Sequence, residues 1–125
     1  MDITPRLTPG RTLIKSYGGG GFTISGARVQ GSVLLFPDRL EAWDVADFAE
    51  VTMASLAPVI DADPKIEVLL LGCGAQPSRL PAALQRDLRA AGLAVDIMTT
   101  AAACRTFNVL AVEDRRVAAA LIAVV

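Results

Sequence analysis

Two cysteines, Cys73 and Cys104, supply the thiols of a 125-residue chain that contains no histidine. Without an imidazole, Ser-His-Asp and Cys-His catalysis are excluded, along with every histidine-containing metal motif. Any chemistry would rest on Asp, Glu, Cys, Arg, Lys, Tyr, Ser or Thr. Two thiols are too few for a structural zinc site or a disulfide framework, so reduced cysteines, no metal and no cofactor are expected.

The residues whose spacing could serve a ligand fall in two groups. Gly72, Cys73 and Gly74 follow an apolar run and precede Arg79; Thr100, Cys104, Arg105 and Asn108 follow a second apolar run. In open α/β sheets, ligands sit beyond the carboxyl ends of parallel strands, where loops lead into helix N-termini with unpaired N–H groups. If the two runs are adjacent parallel strands, a small anionic or carbonyl-bearing ligand would meet the Gly74 N–H, Thr100, Arg105 and Asn108. Each also has a purely structural reading: tight turns for the glycines, a helix cap for Thr100, and a loop-locking hydrogen bond for Asn108.

Cys104, beside Arg105 in the first turns of a helix, is in a setting that lowers a thiol pKa, and a redox pair with Cys73 follows if the loops adjoin. The nucleophile lacks an activating base, and for both ideas a small buried hydrophobic side chain is the plainer expectation. The Gly18 to Gly21 run has no Lys-Ser/Thr after it and is expected to be a flexible hairpin tip, not a phosphate loop. Glu41, Asp44 and Asp47 suit capping and exposure, and Arg115 and Arg116 a solvated turn. Tyr17, Phe22, Phe36 and Trp43 are expected in a core, with an exposed aromatic patch as the alternative.

The elements that must position these residues follow from periodicity. Thr12 to Phe36 alternates short β-favouring runs with glycines, which predicts hairpins, and Leu40 to Trp43 a further short strand. Spacing of Val45, Phe48, Ala49, Thr52 and Leu56 predicts a helix over Val45 to Ala57, capped at Asp44 and closed by Pro58. Ile66 to Leu71 is a central strand, Pro81 to Ala91 a helix ended by Gly92, and Leu93 to Met98 a strand. Thr99 or Thr100 caps a helix to about Val112, and Val117 to Val124 is a closing strand.

A chain of this length is expected to form one domain, burying roughly two-thirds of its unfolded surface. Its 53% hydrophobic content and mean hydropathy of +0.47 raise the question of a membrane span. The longest apolar run, Val117 to Val125, is far short of the about 20 residues a spanning helix takes. The start of the chain shows neither a signal-peptide nor a transit-peptide pattern. A bacterial cytoplasmic protein is expected, with a mature organellar protein left open. Twelve basic and thirteen acidic side chains leave a net charge of −1 with no basic cluster, which argues against nucleic acid as a partner. The apolar composition leaves a homodimer open.

Met98 to Leu110 (Met-Thr-Thr-Ala-Ala-Ala-Cys-Arg-Thr-Phe-Asn-Val-Leu) and Arg115 to Ile122 carry a resemblance to a known family, as do Gly31-Ser32 before an apolar run and proline, Trp43 before the first helix, and the Gly72, Gly74 pair. The chain resembles the small α/β domains of unknown function (DUF498-type) that include mitochondrial complex I assembly factor three and adipogenesis-associated Mth-type domain proteins. The resemblance implies a three-layer fold with a central mixed, mostly parallel sheet, an N-terminal β-hairpin layer and about three helices. It also implies that the last strand runs antiparallel to its neighbours. The function implied is a non-enzymatic protein-interaction or assembly factor for a membrane-associated complex, using a surface of the hairpins and first helix. The alternative is a small-molecule-binding domain or enzyme using the loop edge around Gly74, Thr100, Arg105 and Asn108. Cys73 departs from the pattern, which implies a small residue such as threonine there.

Overall fold

Alternation along two short apolar strands builds the molecule's two cores. In the computed structural model, which describes residues 13–125, Leu69 and Leu71 face one side of a sheet while Leu70 faces the other. Ala118, Ala120 and Ile122 likewise oppose Val117, Ala119 and Leu121. Strands buried on both faces read as unbroken apolar runs, because neither side meets water. Thr12 and the residues before it, including the expected lack of a leader, lie outside the described residues.

Strands β1 (Ile14–Gly18), β2 (Gly21–Ile24) and β3 (Ala27–Gln30) form an antiparallel three-stranded sheet. The second sheet contains β4 (Val33–Leu35), β5 (Leu40–Ala42), β6 (Val68–Gly72), β7 (Ala94–Met98) and β8 (Val117–Leu121), in the order β5-β4-β8-β6-β7. β6 pairs in parallel with β7 and β8, and β4 pairs antiparallel with β5 and β8. Four of the five strands therefore point the same way. The expectation that the last strand opposes its neighbours is corrected: β8 opposes only β4, which is the reversed strand, because β4 belongs to a hairpin with β5.

One face of this sheet is covered by α1 (Ala57–Ile60) and α2 (Ala82–Ala90), with 3₁₀ turns at Phe48–Glu50 and Ala54–Leu56. The other is covered by α3 (Thr100–Val112) and by the β1-β2-β3 sheet, through Ile14, Phe22, Ile24, Ala103, Cys104 and Phe107. The alanines of β8 fit this sandwich, since α3 packs on β6 and β8 and short side chains let it approach. Among the aromatics, Phe22, Phe36 and Trp43 are buried, and Tyr17 is exposed.

The expected helix over Val45 to Ala57 is replaced by two 3₁₀ turns and a four-residue helix. Asp47, not Asp44, is the cap: its carboxylate accepts from the Ala49 N–H, and Glu50 completes a capping box. Val51 is extended, and the Thr52 and Ser55 hydroxyls accept from each other's backbone N–H, diverting the chain from helical bonding. Pro58 lies in the first turn of α1, where no N–H is needed, so it opens the helix it was expected to close. The last strand also ends early, at Leu121; Ala123 N–H instead donates to Ser32 Oγ, and Val124 O accepts from Gly20 N–H at 2.8 Å. That bond anchors the glycine hairpin tip, for which flexibility was expected. Gly19 and Gly20 both have positive φ, as a two-residue hairpin turn requires.

Candidate functional site

The carboxyl ends of β6, β7 and β8 do lie side by side, and α3 begins against them. Gly72 is what allows the approach: a Cβ there would come within 3.1 Å of Thr100 Cα and Oγ1 and 3.0 Å of Leu121 Cδ2. Thr99 caps α3, its hydroxyl accepting from the Ala102 N–H at 3.3 Å. Thr100 is fully buried; its hydroxyl accepts from Gly74 N–H (3.0 Å) and donates to Ile122 O (2.8 Å). Thr100 N–H returns to Gly74 O (2.9 Å), Cys73 N–H donates to Met98 O (2.9 Å), and Ile122 N–H donates to Gly72 O (3.0 Å). Gly74 holds a φ of +106°, a conformation that favours glycine. The structure thus brings Gly72, Cys73, Gly74 and Thr100 together, with Ile122 as a partner that sequence reasoning missed.

Arg79 and Arg105 are exposed, and their side chains have no hydrogen bond or ion pair among the described residues. Asn108 lies two turns along α3, about 12 Å beyond Thr100 at the usual helical rise. Its side-chain amide is engaged at both ends, Oδ1 accepting from Ile14 N–H (2.8 Å) and Nδ2 donating to Ile14 O (2.6 Å). It clamps the hairpin layer to α3. Among the basic turn residues, Arg116 is not merely solvated: it donates to Pro64 O (2.8 Å) and Lys65 O (3.4 Å).

The thiols are separated by the sheet. Cys73 belongs to the core beneath α2, and its thiol donates to Gln76 O at 3.2 Å; Cys104 belongs to the core beneath α3. Both are free, and their placement on opposite faces overturns the idea of a redox pair. Burial pushes the Cys104 thiol up to about 12, outweighing the opposite pull of Arg105. The expected lowering is therefore reversed, and the thiolate a nucleophile needs is not formed at neutral pH.

Beside the stitched strand ends runs an open groove of about 510 Å³, lined by Cys73 to Ser78, Ala46 to Phe48 and Ile122 to Val125. Gln76, Ser78 and Asp47 are its polar members, and sequence reasoning gave them no ligand role. The available signal was the end of β8, which opens on the same edge as β6. Among the described residues, no group of three or more Cys, Asp and Glu side chains is placed to hold a metal, and no helix is long and apolar enough to cross a membrane.

This arrangement of hairpin sheet, mixed sheet and α3 is shared. Residues 14–122 match the model of the family described as protein of unknown function (DUF498/DUF598). The chain belongs to this family. Among DUF498/DUF598 relatives, a zebrafish protein (Danio rerio) named NADH dehydrogenase (ubiquinone) 1 alpha subcomplex assembly factor 3 is 40% identical over 122 residues, covering 98% of this chain and 70% of that protein. The cattle protein (Bos taurus) of the same name is 34% identical, and the chain spans 66% of its length. A crystal structure from Bartonella henselae, described as an outer membrane protein, superposes with a TM-score of 0.85 at 39% identity, covering 95% of this chain and 100% of that one. A Bordetella pertussis structure described as a Mth938-like domain has a TM-score of 0.80 at 26% identity, covering 98% and 92%.

Proposed function

We propose that this chain is a single-domain, non-enzymatic interaction module that assists the assembly of a larger, membrane-associated oxidoreductase complex. The observation that carries the proposal is the 40% identity, across 98% of the chain, to a relative named as a complex I assembly factor. The site's internal chemistry is consistent with it: the Thr100 hydroxyl and the Asn108 amide hold the fold together, and Cys104 is a buried, protonated thiol. The contact surface needs revision, however. The β1-β2-β3 hairpins and the Phe48 to Ile60 segment pack on opposite faces of the central sheet. In the native source, deletion of the gene should lower the amount of the assembled complex on native gels, and restored expression should recover it; an unchanged complex overturns the reading. The proposal keeps the cytoplasmic location, with an organellar one open, and fractionation tests it against the outer-membrane description of the Bartonella relative.

The groove beside Cys73 and Gly74 favours a second reading, a small anionic ligand held at the strand ends; Arg79 and Arg105 are exposed but do not line the groove. Cys73 and Gly74 would line it, with Gly72 and Thr100 buried behind them. A thermal-shift screen of small anions tests it: a stabilising anion whose effect disappears in Arg105→Ala supports this reading, and a flat screen ends it.

A further inference from the structure

β7 is the outermost strand of the central sheet and, among the described residues, is hydrogen-bonded on one side only. Ala94 N–H donates to Glu67 O (3.3 Å), and Met98 O accepts from Cys73 N–H (2.9 Å). The even-numbered residues of β7 therefore address β6, and the N–H and C=O groups of Val95 and Ile97 point away from it. The molecule's other edges are less available. β5 has three residues; β1 is held at Ile14 by Asn108; β3 carries Arg28 and Gln30, whose side chains fold onto the Gly18 and Gly19 carbonyls. Beside β7, on the α2 face, lies a groove of about 530 Å³ lined by Gln85, Arg89, Gly92, Leu93, Val95 and Ile97.

An open strand edge is a template for another strand, and outward N–H and C=O groups select an extended backbone as the occupant. Charge then selects which one. Asp96 is exposed and projects to the face opposite the groove, so a strand added antiparallel would place one side chain directly across from it, about 5 Å away. In a second copy of this chain, the register that overlaps all five residues pairs Val95 with Ile97 and sets Asp96 against Asp96, which like charges disfavour. On the groove side, the half-buried Val95 and Ile97 offer apolar contact, and Arg89 has no ion-pair partner among the described residues.

We infer that the free edge of β7 takes up an extended segment of another protein, with a basic residue opposite Asp96 and apolar or acidic residues over the Leu93 and Arg89 groove. The inference rests on the interaction reading above only in that the occupant is a protein. Its test uses the whole chain and two short synthetic valine-rich peptides that differ only in a central Lys or Glu, read by amide hydrogen exchange. The Lys peptide is expected to slow the Val95 and Ile97 amides about tenfold or more, while the Asp96 and Met98 amides, already bonded to β6, stay as they were. Asp96→Lys should reverse the preference to the Glu peptide, and Asp96→Asn should abolish it. No slowing by either peptide, or equal slowing by both, overturns the inference. Slowing that grows with protein concentration alone overturns it in favour of a second copy. If the captured assembly partner leaves Val95 and Ile97 exchanging freely, the edge fails while the assembly role stands; peptide protection with an unaffected complex has the opposite meaning.

Discussion

The carboxyl ends and the lateral edge of the same parallel strands have opposite fates. At the ends, Thr100, Gly74, Gly72, Cys73, Met98 and Ile122 satisfy one another's hydrogen-bonding groups. At the edge, β7 leaves the backbone groups of Val95 and Ile97 facing outward. Fold class alone directs attention to the strand ends, where α/β sheets bind their ligands. Residual hydrogen-bonding capacity, as well as position, decides where a sheet can bind. The ends spend theirs on holding α3 and the β8 terminus in place, whereas the edge retains it for a partner.

The strongest way to break this contrast is at Thr100. Thr100→Val keeps the shape but strands the Gly74 N–H and the Ile122 carbonyl in a buried place, and should cost about 3 kcal/mol in denaturant unfolding. Thr100→Ser should recover most of it. A neutral Thr100→Val would mean that the strand ends are not held by this hydroxyl. Gly72→Ala tests the same closure by crowding: its Cβ would press on Thr100 and Leu121, and a loss of about 2 kcal/mol is expected.

Cys104 sharpens the contrast through pH. Its thiol is raised from 9.0 to about 12 in the folded protein, so the folded state keeps a proton that the unfolded chain releases. The associated stability is intact below pH 9 and falls as pH rises from 9 toward 12, with a limiting slope of about 1.4 kcal/mol per pH unit. Alkaline unfolding curves of the wild type should show this slope, and Cys104→Ala should lack it. At neutral pH, thiol labelling of Cys104 in the folded protein should be slow.

The legible parts of the fold were those set by neighbours in sequence. Pro81 and Gly92 bracket α2, Thr99 caps α3, and the apolar runs of β6 and β7 were found within two residues of their bounds. The Val45 to Ala57 segment misled because apolar spacing survives in a chain of 3₁₀ turns, while the Thr52 and Ser55 hydroxyl bonds that interrupt it leave no periodic trace. For the candidate site, the types of Thr100 and Asn108 were legible and their partners were not. Asn108 meets Ile14 across 94 positions and Thr100 meets Ile122 across 22, contacts that only the topology creates. The exposure of β7 is likewise a consequence of strand order, which places it last beside β6.

Smaller effects separate structural clamps from the open edge. Asn108→Ala removes both bonds to Ile14 at a half-buried position and should cost about 1 kcal/mol, while accelerating amide exchange at Ile14. Asp96→Lys, at an exposed position with no ion pair among the described residues, should change stability by no more than about 0.5 kcal/mol. A clamp and a docking edge thus predict different pairings of effects: Asn108→Ala alters the free protein, and Asp96→Lys alters only what binds it. If Asp96→Lys destabilised the isolated chain as much as Asn108→Ala does, Asp96 would be part of the fold's own bonding and the β7 edge would lose its charge-selecting residue.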